Sequence, residues 1–371
     1  MSKINRSRLI KFIALILPLL FLFVFGQEFL FYDHTYDTQR LEKFYEEEKN
    51  SIDVIFIGAS EVTQGYLPGY AYDNYGFTSY LYTVDSNMGS LYLSELKEIL
   101  KHQNPDYLFV DLSGFLVDKD PVFFNNIVLQ NYSRGIPYSK NKLQTLLQYP
   151  SDETLSFFFP LIMYHGHPTI AYVRLSEVYD RLTKVAQPSS LKGIVTRSNI
   201  YSGTGDPGKE FDPDTYGLTD NVEAYLVEFL EYCKQNGLNV IFTNYPRRIV
   251  DESNYYLLFL FNQAESIIER YGYPVWNLQD EMDTIGIDIN QDFSDIHHLN
   301  IYGQLKMTDY FGNRIMNEFG LTPRIQSERN ELEWEACASN TQEFIKIVKE
   351  SIQSGRDMAI NEKSVIWVYR K

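Results

Sequence analysis

Three residues of this sequence have the types and spacing needed for acyl transfer. Ser60 follows the apolar run "VIFIG" of residues 54–58. Asp295 and His298 form a D-x-x-H pair late in the chain. An acid that bonds one imidazole nitrogen leaves the other free to take a proton from a serine hydroxyl. The spacing from Asp295 favours His298 over the adjacent His297 as the base. The competing interpretation of Ser60 is a helix N-cap, a common role for serine after a strand.

The elements that must position these residues follow from the hydrophobic pattern. Runs that are apolar almost throughout, as in parallel strands buried on both faces, occupy residues 53–58, 106–112, 239–245 and 273–278. Helical patterns lie between them at residues 90–103, 222–237 and 257–272. This alternation predicts an α/β fold, a three-layer sandwich with a central parallel sheet and helices on both faces. Ser60 then lies at the carboxyl edge of the sheet, where such folds bind ligands.

The rest of the chain departs from this alternation. Residues 117–220 lack a clean strand–helix pattern, and we expect an insertion that forms a cap or one wall of the cleft. The polar residues 31–51 predict a helical stalk leading into a domain of residues 52–320. Residues 321–371 form a C-terminal extension, predicted to end in a helix followed by one strand.

The N-terminus predicts a membrane segment. Residues 1–8 form a basic tip, and the uncharged apolar run begins at Phe12, just after Lys11. Residues 9–30 are therefore predicted to be a transmembrane signal anchor contacting the bilayer, with the remaining chain outside the cytoplasm. The alternative is a signal peptide cleaved after Gly26. We favour the anchor because no Ala-x-Ala site is present and apolar residues resume after Gly26.

Composition excludes several classes of function. The 371 residues carry a net charge of −16, which argues against nucleic acid as a partner. Cys233 and Cys337 are far apart, so no C-x-x-C metal spacing exists. His165 and His167 form an H-x-H pair without a third ligand nearby, and a structural or cleft-lining role is favoured over a metal site. No metal or cofactor is therefore predicted.

The motifs together resemble the SGNH, or GDSL-type, hydrolase superfamily. The resemblance rests on G-x-S at the end of the first strand and on D-x-x-H followed by "LN" and Gly303, and it covers about residues 53–320 with a gap in the middle. It implies a flavodoxin-like three-layer fold. It also implies that Ser60 is the nucleophile, His298 the base and Asp295 the residue that orients the base.

The sequence departs from this family at the oxyanion site. Ala59 stands between the glycine and the serine, where the family usually has aspartate. The family block G-x-N-D is absent, and "VDLSG" occupies residues 110–114. The asparagine that helps to bind the oxyanion therefore lacks an obvious counterpart. The candidate donors are the side chains of Asn87 and Asn244 and the backbone N–H groups of Ser60 and Gly89.

Other polar residues are candidates for substrate binding. Arg247 and Arg248 follow the third strand-type run, at the ligand-facing edge. They suit a phosphate or carboxylate of a polymer, or they pair with the surplus acids of the domain. His165 and His297 are further candidates. Aromatic residues make up 15% of the chain and are able to stack on sugar rings.

The predicted location and chemistry together suggest a function. An extracytoplasmic serine acyl-transfer protein suits a polysaccharide or envelope glycan, as an O-acyltransferase or an esterase. A transferase would need a membrane partner to bring the acyl group across. With such a partner, the chain resembles SGNH-type proteins that work with membrane-bound O-acyltransferases in alginate acetylation and teichoic acid D-alanylation. The alternative is a catalytically degenerate domain that binds glycan or acts as a scaffold. The absent G-x-N-D favours this alternative, and the intact Ser60, Asp295 and His298 oppose it.

Overall fold

A computed structural model gives the fold of most of the chain. The structure describes residues 6–25, 35–117, 125–149, 154–159, 162, 191–203, 217–249, 252–356 and 359–361. The strands are β1 (Val54–Gly58), β2 (Ser79–Thr83), β3 (Tyr107–Asp111), β4 (Val195–Arg197), β5 (Val240–Asn244), β6 (Val275–Asn277) and β7 (Ala359–Asn361). The longer helices are α1 (Arg6–Phe25), α2 (Tyr36–Phe44), α4 (Pro68–Tyr75), α5 (Gly89–His102), α7 (Asn125–Gly135), α8 (Lys140–Gln148), α10 (Asp220–Gln235), α11 (Glu252–Tyr271), α13 (Ile301–Asn317) and α14 (Glu328–Gln353). The short helices are α3 (Ser60–Thr63), α6 (Ser113–Val117), α9 (Thr154–Phe158) and α12 (Met282–Ile285).

The centre of the molecule is a five-stranded sheet in the order β2-β1-β3-β5-β6. Every pairing in it is parallel. The strand β4 belongs to a separate sheet, so β5 and β6 are the fourth and fifth strands of this one, and its strand order is 2-1-3-4-5. In an open sheet of this order the connections leave in opposite directions from β1 and β3, and ligands bind outside the carboxyl ends of those two strands.

Helices cover both faces of the sheet because successive side chains of each strand point to opposite sides. In β1, Ile55 and Ile57 belong to a core shared with α2, α5, α7, α10 and α11. Val54 and Phe56 belong to a second core shared with α4, α13 and α14. All four side chains are buried, which explains why the run is apolar without alternation.

The expected α/β fold with a central parallel sheet is confirmed. The four apolar runs became β1, β3, β5 and β6, and the three helical patterns became α5, α10 and α11. The strand β2 escaped prediction because its sequence, "SYLYT", is short and begins and ends with a hydroxyl residue, so it does not read as a continuous apolar run. Its residues are nevertheless all buried, since α2 covers the outer part of this edge strand.

The predicted stalk is not separate from the domain. The helix α2 lies within residues 31–51, and its Leu41 and Phe44 are fully buried. The ring of Phe44 packs edge-on against Tyr82, with centroids 4.8 Å apart. The polar composition of this segment therefore hides two apolar side chains, Leu41 and Phe44, that pack into the core.

The C-terminal extension also packs on the domain. The long helix α14 lies against α4 and buries Trp334 and Phe344. The short strand β7 then pairs antiparallel with β4, which lies at the end of the predicted insertion. The described parts of that insertion include α7, α8 and α9, which contact one another.

The N-terminal segment forms the helix α1 but does not bear out the transmembrane helix predicted over residues 9–30. In the part of the chain that the structure describes, no helix is both long and apolar enough to cross a membrane.

Candidate active site

Ser60 lies at the carboxyl edge of the sheet, in the first turn of α3. The N-cap position belongs to Ala59, whose side chain makes no capping hydrogen bond. Ser60 is therefore not the helix cap that the alternative interpretation proposed. The sharp turn from β1 into α3 brings Val62 close to Gly58, where an added Cβ would lie 2.4 Å from Val62 Cγ2. Glycine is thus required two residues before the serine.

The structure brings Ser60 and His298 into direct contact. Ser60 Oγ lies 2.7 Å from His298 Nε2, although 238 residues separate the two positions. His298 Nδ1 lies 2.9 and 2.8 Å from the two carboxylate oxygens of Asp295. All three side chains are partly exposed, so a substrate is able to reach them. This is the arrangement in which a histidine accepts a serine proton while a carboxylate fixes its ring.

A tight turn holds the acid and the imidazole in this orientation. Phe293 and Leu299 form an antiparallel bridge, and the Ser294 N–H donates to the His298 carbonyl at 2.8 Å. Inside this turn, Asp295 Oδ1 accepts the N–H groups of both His297 and His298, each at 2.8 Å. The D-x-x-H spacing therefore has a local cause, since the aspartate closes its own turn and meets the ring three residues later.

The residues after the turn anchor it to α13. Asn300 is the N-cap of α13, where its side chain accepts the Tyr302 N–H at 2.9 Å. Its amide group donates to the carbonyl of Gln291 at 2.7 Å and to two further carbonyls. Gly303 lets α13 approach the turn, because an added Cβ would lie 2.7 Å from the Asp292 carbonyl oxygen. The "LN" and glycine of the motif thus set the position of His298.

The pairing changes the protonation of both partners. Burial alone would raise the pKa of Asp295, but hydrogen bonds from the His298 ring and two backbone N–H groups hold it at about 2. Burial alone would lower the pKa of His298. The hydrogen bond to Asp295 and the charges of Glu61, Asp295 and Asp85 outweigh burial, so this pKa lies above the ordinary value of 6.5. Asp295 is therefore ionised and His298 is a stronger base than a free imidazole.

These shifts predict the acidic limb of the pH–rate profile. His298 must be neutral to accept a proton, so kcat/KM for an ester should fall as the pH drops through the His298 pKa, above 6.5. Asp295→Asn removes the charge and the hydrogen bond that raise this pKa, so the limb should move to lower pH while the maximal rate falls. Initial rates between pH 4.5 and 9 measure both effects. An unmoved limb would show that His298 does not control the rate.

The backbone N–H groups of Ser60 and Gly89 remain candidate donors for an oxyanion. The Ser60 and Gly89 N–H groups lie in the first turns of α3 and α5, where N–H groups lack acceptors within the helix. Gly89 must be glycine, because an added Cβ would lie 2.3 Å from Phe115 Cδ1. A partial positive charge at the start of α5 favours negative charge there.

The two asparagine candidates are engaged elsewhere. The amide of Asn87 donates to the Gly58 carbonyl at 3.0 Å and to the Glu95 carboxylate at 2.9 Å, which uses both of its protons. Asn244 donates to Asn277 at 2.9 Å. Both asparagines are almost fully buried. The structure thus does not favour either side chain as the oxyanion donor, and Asn87 instead supports the backbone just before Ser60.

The two arginine candidates have different environments. Arg247 is buried, and its guanidinium donates to Asn244 at 3.4 Å. Arg248 donates to the carbonyls of Tyr201 at 3.2 Å and Gly203 at 3.1 Å, and its N–H donates to the Ile296 carbonyl at 2.9 Å. Within the described residues neither forms an ion pair with a carboxylate. Arg248 thus ties neighbouring loops to the D-x-x-H turn.

The histidine candidates lie in different parts of the chain. His297 is partly buried beside His298, with ring centroids 6.3 Å apart. Burial and the charge of Arg247 lower the pKa of His297, so this ring is neutral near pH 7. A neutral, partly exposed ring is able to contact a substrate. His165 lies outside the described residues, as does its neighbour His167.

Sequence reasoning missed one acidic residue at the site. Glu61 follows Ser60 directly, and its Oε2 lies 3.5 Å from Ser60 Oγ. The only signal in the sequence is this adjacency, since a glutamate in the first turn of a helix is common for its effect on the helix dipole. The acid at the end of β3, Asp111, is buried behind Gly58 and has a pKa raised to about 7 by burial and by Glu61.

Comparisons with known proteins add little beyond this geometry. No protein-family model and no curated protein sequence matches the chain significantly. A solved structure with detectable similarity is a provisionally assigned acylhydrolase from Bacteroides fragilis. It shares 10% sequence identity, covers 78% of this chain and 98% of its own, and superposes with a TM-score of 0.37. At this TM-score the similarity carries no argument about function.

Proposed function

We propose that this chain is a serine acyl-transfer protein of the SGNH type, in which Ser60 is the nucleophile. The observation that carries the proposal is the continuous contact from Ser60 Oγ to His298 Nε2 at 2.7 Å and from His298 Nδ1 to Asp295 at 2.8 Å. The position of Ser60 outside the β1 and β3 ends also supports it, because ligands bind there in sheets of this order.

The first half-reaction forms an ester on Ser60. Ser60 Oγ attacks the acyl carbonyl carbon and His298 Nε2 takes the hydroxyl proton. Asp295 keeps the ring in place and stabilises the imidazolium. The Ser60 and Gly89 N–H groups donate to the oxyanion. The bond to the leaving alcohol then breaks, and His298 gives the alcohol its proton.

The second half-reaction decides between the two activities. An acceptor hydroxyl attacks the ester carbon and gives its proton to His298 Nε2. The Ser60 Oγ–carbon bond breaks and Ser60 regains a proton from His298. Water as the acceptor makes the protein an esterase, and a sugar hydroxyl makes it an O-acyltransferase.

The sequence is the basis of our proposal for the substrate and the location. We infer an extracytoplasmic site and an envelope or exported glycan as substrate, because basic residues precede the apolar N-terminal run. A membrane protein that delivers the acyl group is part of this proposal. Protease added to intact cells should digest the domain if this location is correct, and protection of the domain would contradict it.

A non-catalytic scaffold is the second candidate. It is supported by the engagement of Asn87, since loss of one oxyanion donor costs roughly 3 kcal/mol of the barrier. The two candidates differ in whether Ser60 is reactive.

A fluorophosphonate probe tests the reactivity of Ser60. The full-length chain should form one covalent adduct that peptide mass spectrometry places on Ser60, and it should release nitrophenol from 4-nitrophenyl acetate. Protonating His298 below pH 5 should slow the labelling. Absence of both an adduct and turnover would leave the scaffold as the explanation of this fold.

A further inference from the structure

We propose that Glu61 binds the acceptor of the second half-reaction, and that this acceptor carries a second hydroxyl next to the one that reacts. The acceptor class is thus a polyol such as a sugar, rather than water or a simple alcohol. The inference rests on the function proposed above, because it requires an acyl group on Ser60.

Glu61 is the carboxylate placed to contact both the nucleophile and a ligand. It lies in the first turn of α3, with Oε2 3.5 Å from Ser60 Oγ. It is partly exposed, as is Ser60, whereas Asn87 and Asn244 are buried. A ligand that reaches Ser60 therefore passes within reach of Glu61.

The carboxylate of Glu61 has hydrogen-bonding capacity to spare. In the described parts of the chain its one hydrogen bond is the long contact with Ser60, and it forms no ion pair there. Ser60 has a single proton, which the shorter 2.7 Å contact directs to His298. An ionised carboxylate accepts several hydrogen bonds, so Glu61 is left to accept one from a ligand.

Acylation of Ser60 removes the hydroxyl proton that makes the long contact with Glu61. An ester oxygen at Ser60 carries no proton, so it cannot donate to Glu61 in the acyl-enzyme. The charge of Glu61 also acts on the imidazole, because it raises the pKa of His298 together with the hydrogen bond that the ring donates to Asp295. An acceptor that approaches His298 therefore approaches Glu61 from the same side.

The transfer step then needs two neighbouring hydroxyl groups. The first hydroxyl forms the new ester bond and loses its proton to His298 Nε2. The second donates a hydrogen bond to the Glu61 carboxylate and keeps its proton. The bond from the acyl carbon to Ser60 Oγ breaks, and Ser60 takes the proton from His298. A charge-assisted hydrogen bond of this kind is worth enough to favour a diol by roughly tenfold.

Acceptor competition tests this proposal. The full-length chain is given 4-nitrophenyl acetate with equal concentrations of ethylene glycol and 2-methoxyethanol, which lacks the second donor. Mass spectrometry of the two acetate esters gives their ratio. We expect the wild-type protein to favour the glycol ester by about tenfold. The variant Glu61→Leu should bring the ratio within twofold of one, and Glu61→Gln, which keeps an acceptor oxygen, should retain part of the preference.

A matched variant and a second readout separate the outcomes. Asp85→Asn removes an exposed carboxylate that, like Glu61, raises the pKa of His298, and it should leave the acceptor ratio unchanged. A wild-type ratio near one, or an unchanged ratio in both Glu61 variants, would overturn the inference. If nitrophenol release is the same in Ser60→Ala, then the proposed function fails. If nitrophenol release depends on Ser60 but the ratio of the two esters is near one or does not change in the Glu61 variants, then only the role of Glu61 fails.

Discussion

Replacing Ser60 by alanine is expected to lower kcat/KM for an acetyl ester by about 10,000-fold or more. The hydroxyl that His298 contacts at 2.7 Å is then absent, and only binding and the oxyanion donors remain. His298→Ala should cause a loss of similar size. The double variant should be no worse than either single variant, because residues that act as one unit are not additive. Steady-state rates with 4-nitrophenyl acetate measure all three variants.

A neighbouring serine serves as the control for this loss. Ser90 lies in the first turn of α5, where its Oγ accepts a hydrogen bond from Tyr149 at 2.7 Å, and it makes no contact with His298. Ser90→Ala should keep kcat/KM within about fivefold of wild type, in line with a typical neutral hydrogen bond. Retention of more than a tenth of the activity in Ser60→Ala would contradict the assignment of the nucleophile.

The second large effect is on stability. Lys192 Nζ donates to both carboxylate oxygens of Glu47, at 2.9 and 2.7 Å, and the two side chains are 1% and 0% exposed. The ammonium group also lies 4.6 Å from the centre of the Trp334 ring. Lys192→Met leaves the Glu47 carboxylate buried without its partner, so it should lower the free energy of unfolding by about 3–5 kcal/mol. Urea unfolding followed by circular dichroism measures this change.

Two variants check that the loss comes from burial of the pair. Lys346→Met breaks an exposed pair with Glu343 and should cost less than about 1 kcal/mol. Adding Glu47→Gln to Lys192→Met removes the unpaired charge and should recover part of the stability. Equal losses in Lys192→Met and Lys346→Met would show that burial of the Lys192–Glu47 pair is not the cause of the loss.

The sequence predicted correctly those elements whose residue types are set by a single requirement, such as burial on both faces of a strand. The strands β1 and β3 are buried on both faces, so their runs are apolar throughout and their ends are visible to within about two residues. The D-x-x-H turn was also recognisable, because Asp295 must both close the turn and meet His298. The contact between Ser60 and His298 followed from placing each at the carboxyl edge.

The remaining features depend on partners that are distant in sequence. Asn87 is spaced plausibly for an oxyanion donor, yet the buried Glu95 takes one of its two protons. The sequence shows no partner for Arg248, but in the structure its guanidinium donates to the carbonyls of Tyr201 and Gly203. Side-chain pairing of this kind leaves no periodic signal. Glu61 was missed for the opposite reason, since its sequence position is ordinary and only its distance from Ser60 is informative.

The separation of 238 residues between Ser60 and His298 has a consequence for biogenesis. A contact between residues so far apart in sequence forms slowly, because the entropy of closing the loop must be lost before the contact stabilises the fold. A ribosome releases the serine long before it makes its base, so an unfinished chain carries an ordinary, unreactive alcohol. The time at which Ser60 becomes reactive to the probe during refolding would therefore report when the part of the domain that carries His298 packs against the sheet.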